Sequence, residues 1–352
     1  MPARSRLGVG LVGLGYAADF HLPAVLSLPE VRLVAVTDRD RARLDAHAGR
    51  HPGRAFRDYR ALVDHPEVDI VGILTPPTSH LEIALAAMAA GKHILIEKPI
   101  TATLEEADRL LAASSRSSSK ICVAYVLRFM RQIRRMRALI RAGELGEIEI
   151  LRCLASTPEM LSPLAPSHRR DRTQGGGSII ELGVHHYDLW AHLLDSRVAD
   201  VSALSRSIHM HDQSTVVAAR MSCGTLASTC VSLGAADQYQ VDALGSRARA
   251  SASLFRYDGF EMVAAGRSSR QARLRMERLL AGVRELPNAL RVRAHGGTFR
   301  DSFRELWKHL VESIAADTAP EPGLRAGRDS LAAAIASSRA SLTGETVAVA
   351  GA

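Results

Sequence analysis

Short apolar runs alternate with amphipathic stretches through the first third of the chain. The runs are "LGVGLVGLG", "VRLVAVTD", "VDIVGILTPP", "HILIEKP" and "KICVAY". Each is a brief, nearly unbroken apolar segment bounded by glycine, proline or charge, as expected of strands buried on both faces. Between them, "RDRARLDAHAGR" and "TSHLEIALAAMAAGK" carry apolar residues at close to helical spacing. Strand and helix in repeated alternation predict a parallel sheet covered on both sides, a doubly wound α/β domain over residues 1–124.

After residue 124 the pattern changes. "FMRQIRRMRALIRAGELGEI" predicts an arginine-rich helix closed by Gly143 or Gly146. The segments "EILRCLAST", "VADVSALSRS", "STVVAARMS", "GTLASTCVSL", "YQVDALG" and "RARASASLF" read as strands separated by turn residues, which predicts a mostly antiparallel open sheet. "SLAAAIASSRASLTGETV" predicts a last helix, about 325–343, packing back towards the first domain. At 352 residues the chain exceeds what one core organises, so residues 125–352 are expected to form a second, α+β domain.

Composition narrows the partners. With 47% hydrophobic and 23% charged residues this is an ordinary globular chain. A net charge of +8 raises nucleic acid as a partner, but the basic residues are scattered and aromatics are only 4%, so none is expected. The apolar stretch after Arg4 and Arg6 is too short and too rich in glycine for a secretory leader, and no run approaches the length of a bilayer. Cys122, Cys153, Cys223 and Cys230 form neither a C-x-x-C pair nor a zinc-ligand spacing. They are expected to be free thiols in a cytoplasmic protein that contacts no membrane.

The first chemical motif is "GLVGLGYAADFH", with Gly13, Gly15 and Ala18 in the G-x-G-x-x-G/A pattern between a strand and a helix. Gly13 permits the tight turn, Gly15 lets a pyrophosphate approach the backbone, and Ala18 allows close packing of helix on strand. Asp38 ends the second strand 25 residues after Gly13, where an acid can bond the adenosine ribose hydroxyls. Its charge favours NAD by repelling a 2′-phosphate, whereas the neighbouring Arg39 leaves NADP open.

These stretches, together with "TPPTSH", "EKP" and "GGGSIIELGVHHYDL", resemble the Gfo/Idh/MocA family, the glucose-fructose oxidoreductase and inositol dehydrogenase group of nicotinamide-dependent enzymes. The matching motifs run from residue 7 to about 195, and the later strands and terminal helix suit the family's second domain. The resemblance implies an N-terminal Rossmann doubly wound parallel sheet and a C-terminal α+β domain with a mostly antiparallel open sheet. It implies a cofactor site at Gly13, Gly15, Tyr16, Ala17, Asp38, Arg39, Thr75, Pro76, Pro77, His80, Glu97 and Lys98. Pro76 and Pro77 would shape the loop beneath the nicotinamide.

Lys98 is the leading catalytic candidate. The chain has only four lysines against 41 arginines, and a partly desolvated lysine can move a proton near neutral pH where an arginine cannot. The C-terminal end of a parallel strand is also where open α/β sheets bind ligands. A lysine paired structurally with Glu97 is the alternative. Pro99 allows a cis peptide after Lys98.

"GGGSIIELGVHHYDLWAHLL" places Glu181, His185, Asp188 and His192 at i, i+4, i+7 and i+11, near one helix face. In the family the first of these positions is commonly aspartate, so Glu181 is one methylene longer. Three readings stand here: His185 and Glu181 as catalytic groups acting on the reacting oxygen, a metal site, or structural ion pairs. The first is favoured, with no metal, and Asp188 and His192 are expected to serve structure. Tyr125 and Arg128 after the fifth strand, His168 and Arg169 before the glycine run, and His186 are the substrate-binding candidates. For Arg128 a salt bridge across the domain junction is an equal alternative. Residues 266–295 carry eight arginines, which suits a solvated helix, a subunit contact or recognition of a phosphorylated or nucleotide-linked sugar.

The expected activity is hydride transfer between NAD, or NADP, and a secondary alcohol or ketone carbon of a sugar, aminosugar or cyclitol, by a homodimer or homotetramer. A C=N reductase, or an epimerase or eliminase working through transient oxidation, would use the same cofactor. A dinucleotide-binding sensor without turnover is the reading of another class.

Overall fold

The computed structural model describes residues 6–48, 50–158, 170, 176–256, 258–266, 280, 282–283, 286–287, 289–293 and 297–351. The chain divides into two compact units, Met1–Val126 with Ser302–Arg328, and Leu127–Asp301 with Asp329–Ala352.

The first unit holds six parallel strands, β1 (Leu7–Val12), β2 (Val31–Thr37), β3 (Arg54–Phe56), β4 (Ile70–Ile73), β5 (His93–Ile96) and β6 (Ile121–Val123), in the spatial order β3-β2-β1-β4-β5-β6. Leu11, Ile70, Ile73, Ile94, Leu95 and Ile96 are fully buried, as strands covered on both faces require. The crossovers are α1 (Ala18–Ser27), α2 (Arg41–Ala48), α3 (Tyr59–Val63), α4 (His80–Ala89) and α5 (Leu104–Ser114). α5 begins in a capping box, with the Thr103 hydroxyl accepting from the Glu106 N–H and the Glu106 carboxylate accepting from the Thr103 N–H. The strand order reverses between β1 and β4, so a crevice opens at their C-terminal ends.

Ser302–Arg328 completes this unit, although the sequence places all of 125–352 in one domain. Phe303 stacks on Phe20 with ring centroids 5.2 Å apart, and Leu306, Trp307 and Leu310 are buried. The helical periodicity of this segment says that one face is buried but not against which domain. For the last helix, Leu324–Thr343, the unit boundary falls after Arg328, so its start belongs to the first unit and the remainder to the second.

The second unit is built on an eight-stranded sheet. Its strands are β7 (Ile148–Ser156), β8 (Val198–Arg206), β9 (Ser214–Met221), β10 (Leu226–Ser232), β11 (Gln238–Gly245), β12 (Ala248–Ser253), β13 (Phe260–Ala264) and β14 (Val347–Ala348). The order is β13-β12-β11-β7-β10-β9-β8-β14, antiparallel throughout except for the parallel pair β7 and β10. Burial alternates along β9, one face in and one out. α6 (Arg131–Arg141) ends at Ala142, and Gly143 follows with φ +68°, so it is Gly143 that closes the arginine-rich helix. α7 (Val184–Leu194) buries Val184, Tyr187, Leu189, Trp190 and Leu193. Among the described residues no helix is long and apolar enough to cross a membrane.

A Cβ at Gly72 on β4 would lie 2.7 Å from Leu11 Cδ2 and 3.2 Å from the Trp307 ring. Gly72→Ala is therefore expected to cost about 1–3 kcal/mol through overpacking, read as a lowered urea midpoint. An unchanged midpoint would contradict the packing of Trp307 on β4.

Candidate active site

The turn after β1 is built for a close backbone approach. Gly13 has φ +97°, and its N–H donates to the Thr37 carbonyl at 2.8 Å. At Gly15 an added Cβ would meet only Arg43 Nη1, at 3.5 Å, so the backbone there stays open to a ligand. Ala17 is the N-cap of α1 and its side chain makes no capping hydrogen bond, and a helix N-terminus of this kind suits an anion. Tyr16 is 39% exposed beside the turn and packs edge-on against Phe20. Asp38 Oδ2 accepts from the Leu14 N–H at 2.6 Å and Oδ1 from the Asp40 N–H at 2.7 Å. Each oxygen has a second lone pair for a ribose hydroxyl. These features fit a dinucleotide whose pyrophosphate rests on the turn and whose ribose faces Asp38.

Glu82 has its pKa lowered by the Tyr59 hydrogen bond, then by the Arg60 guanidinium and, least, by the charge of Arg39. The guanidinium beside Gly15 belongs to Arg43, which also pairs with Asp40 at 3.4 Å. The sequence reading does not include Arg43. Its position in the first turn of α2, directly after the ribose-side acid, is the signal that could have found it.

The turns after β4 and β5 are tied together. Thr75 Oγ1 accepts from the Ser79 hydroxyl at 2.8 Å, Pro76 is extended, and Pro77 opens a 3₁₀ turn. His80 is fully buried, with Nε2 at 2.7 Å from the Thr75 carbonyl and Nδ1 at 3.1 Å from the Pro99 carbonyl. Burial holds its pKa below the ordinary value. His80 therefore has no surface for the cofactor; it joins the two turns instead. Lys98 is half-buried after β5, and its peptide bond to Pro99 is cis. The Lys98 N–H donates to Glu97 Oε2 at 3.0 Å, and Glu97 Oε1 lies 2.8 Å from His21 Nε2.

In the second unit a π-helical turn over Ile179–Gly183 precedes α7. Glu181 sits in this wider turn, so the simple i, i+4 relation to His185 does not hold, although the regular spacing of His185, Asp188 and His192 does. Glu181 and His185 are both half-buried. Asp188 is buried and receives the Arg128 fork, Nε to Oδ2 at 2.8 Å and Nη2 to Oδ1 at 2.6 Å. The Arg128 fork is thus engaged by a carboxylate of its own unit, which is the salt-bridge alternative of the sequence reading, made within one unit. His192 is driven down to about 3 by burial and then by Arg128 and Arg137.

Two further expectations are corrected. His186 is fully buried, with Nδ1 at 2.5 Å from the Thr229 hydroxyl, its ring edge-on to Tyr239, and its pKa pushed down to about 3 by burial. It belongs to the core between α7 and the sheet, one residue round the helix from the His185 face. Tyr125 is also fully buried and presents no surface to a substrate. His168 and Arg169 lie outside the described residues, as does most of the arginine-rich stretch; Arg291 within it pairs with Asp301 at 3.4 Å. Among the described residues no group of three or more His, Cys, Asp or Glu could hold a metal ion.

Two profiles of one family match the chain: the oxidoreductase family NAD-binding Rossmann fold over residues 7–125, and the GFO/IDH/MocA C-terminal domain over residues 133–251. The chain belongs to the Gfo/Idh/MocA family. Its first unit carries that family's NAD-binding Rossmann fold, and NAD is the cofactor that the glycine turn and Asp38 fit. A 1-carboxy-3-chloro-3,4-dihydroxycyclohexa-1,5-diene dehydrogenase of Comamonas testosteroni is 33% identical over 196 residues, 55% of this chain and 49% of the relative. A dTDP-3,4-didehydro-2,6-dideoxy-alpha-D-glucose 3-reductase of Saccharopolyspora spinosa is 30% identical over 215 residues, 60% of this chain and 63% of the relative. The chain thus spans about half to under two thirds of these curated relatives. The WlbA dehydrogenase of Bordetella pertussis, solved with NADH and UDP-GlcNAcA, shares the fold with a TM-score of 0.81 at 19% identity, covering 99% of both chains.

Two of the depressed imidazoles, those pushed furthest with a value near 3, set a pH dependence. His186 and His192 titrate near 6.5 when unfolded and near 3 when folded, so between these values the unfolded chain binds protons that the folded protein does not. Stability is then complete above pH 6.5 and falls as the pH drops through the window, by up to about 1.4 kcal/mol per pH unit for each group. In urea titrations from pH 7 to about 4, His186→Gln should flatten this decline by close to one proton. An identical slope in the variant would show that His186 is not held neutral.

Proposed function

We propose that this protein is a nicotinamide-dependent oxidoreductase that acts on a secondary carbinol of a sugar, aminosugar or cyclitol, nucleotide-linked sugars included. The observation that carries this reading is the place of Lys98, an amine just past β5 at the C-terminal edge of a sheet whose β1 turn fits a dinucleotide. Bound NAD supplies the hydride acceptor, and reduced NAD the donor. Lys98 takes the proton from the substrate hydroxyl as the carbinol carbon is oxidised, and returns it to the ketone oxygen in reduction. Glu97 and His80 hold the turn from which Lys98 projects. His185, at the start of α7, is proposed as a second proton-handling group, with Glu181 orienting it or a substrate hydroxyl. The relatives support the substrate class, since one is named for a chlorinated dihydroxycyclohexadiene and another for a dTDP-linked deoxysugar.

The outer face of the second unit's sheet supports self-association. Leu204, Val216, Cys230 and Leu154 form one row across four neighbouring strands, and Leu226 and Ile150 face each other in a second. Leu204 is 76%, Val216 52% and Leu226 54% exposed. An apolar sheet face of this kind is expected to be covered by a second copy, giving a homodimer or homotetramer. Leu204→Asp with Val216→Asp should shift the light-scattering mass to the monomer; an unchanged mass would assign the face another role.

Turnover is tested by following NADH absorbance with myo-inositol, D-glucose, an N-acetylated aminosugar and dTDP- and UDP-linked hexoses. In the active pair Lys98→Ala should lower kcat by about 10²-fold or more while the NADH dissociation constant changes little. Lys98→Arg should restore charge but not speed. Near-normal turnover in folded Lys98→Ala would remove the lysine from the mechanism. NADH binding with no turnover on any compound would favour a sensor. At one ionic strength NADH should bind more tightly than NADPH; the reverse order would make Arg43 or Arg39 a phosphate ligand.

A further inference from the structure

A chain of hydrogen bonds runs from the returning segment Ser302–Arg328 to the backbone of Lys98. The Trp307 indole N–H donates to His21 Nδ1 at 3.0 Å. His21 Nε2 faces Glu97 Oε1 at 2.8 Å, and Glu97 Oε2 accepts from the Lys98 N–H at 3.0 Å. His21 and Trp307 are both fully buried, and Phe303 closes the side of the imidazole edge-on at 4.9 Å.

The donor at Nδ1 settles the direction of the chain. A ring nitrogen that accepts from an indole N–H carries no proton, so the imidazole proton lies on Nε2 and points at the carboxylate. Glu97 is then held at both oxygens, by an imidazole N–H and by a backbone N–H, which leaves its side chain little rotational freedom. A histidine oriented by a fixed donor on one nitrogen, and acting through the other, is a recurrent way of holding a reactive group in place.

We propose that Trp307 and His21 are positioning residues for Lys98: the indole sets the tautomer of His21, His21 fixes Glu97, and Glu97 fixes the turn that presents the amine. The role rests on the reading of Lys98 as the proton-transfer group. It gives Ser302–Arg328 a task in catalysis, because a helix distant in sequence from the glycine turn supplies the first donor of the chain.

The test uses the full-length protein in four forms besides the wild type: Trp307→Phe, which removes the N–H but keeps an aromatic ring, His21→Ala, His21→Gln, which retains an N–H donor, and Lys98→Ala. Nitrogen-15 NMR of the labelled histidines reads the tautomer without substrate. Wild-type His21 should show its proton on Nε2, and Trp307→Phe should lose that preference; a proton on Nδ1 in the wild type overturns the proposal. Single-turnover rates are then measured with the fastest compound of the panel above, alongside NADH dissociation constants and melting temperatures. Trp307→Phe should slow hydride transfer about tenfold and His21→Ala about 10²-fold, His21→Gln should recover most of the second loss, and NADH binding should stay within about twofold. If the first two variants melt earlier but react at the wild-type rate while Lys98→Ala is slow, the chain is only a fold element and the positioning role fails alone. If Lys98→Ala reacts normally, or no compound turns over, the reading of Lys98 fails and the positioning role falls with it.

Discussion

The turn from β1 into α1 passes so close to the end of β4 that a Cβ at position 13 would lie 2.9 Å from the Leu74 carbonyl carbon, on a backbone at φ +97°. Only glycine meets both conditions, one steric and one conformational. That close approach brings the β1 and β4 turns to a single edge of the sheet, and neighbouring side chains secure the remaining turns there. Asp38 ties the β2 end to the glycine turn through the Leu14 N–H, and His80 ties the β4 turn to the Lys98–Pro99 turn. His21, reaching from α1, ties Glu97 to the same frame. The cofactor cradle and the lysine are consequences of one tightly closed edge.

Polar groups in the second unit are sorted by burial. On the sheet's inner side His186 and Tyr239 lie in the core, and both have titrations displaced by desolvation, the histidine downward and the phenol upward. Arg128 and Asp188 are sheltered as a fork-and-carboxylate pair, where loss of one partner would leave an uncompensated charge. Glu181 and His185 keep part of their surface, and it is this residual accessibility, beside a π-helical turn, that sets them apart from their buried neighbours.

The strands were the most readable feature of the sequence. Continuous apolar runs marked the parallel sheet, alternating ones the second sheet, and Gly13, Gly15 and Asp38 marked the cradle because their spacing has a mechanical reason. What pattern could not convey was direction and address. His186 follows His185 directly, yet one step around a helix moves a side chain from a half-open face into the core. Arg128 and Asp188 are 60 residues apart, and no local pattern pairs them. The π turn inserts a register change that an i, i+4 count misses. Helix Thr298–Ala315 was not among the elements predicted, and the surface that receives it, around Gly72 and Phe20, is distant in sequence.

The central claim is that hydride passes between the nicotinamide of a dinucleotide held in this cradle and a carbinol carbon. NADH deuterated at one face of C4, incubated with the ketone of the active panel compound, tests it directly by mass spectrometry and NMR of the product. The account predicts one deuterium on the new carbinol carbon per NADH consumed, from one face only. NADH consumed with the label lost to solvent, or bound without any label reaching a carbon, would contradict it.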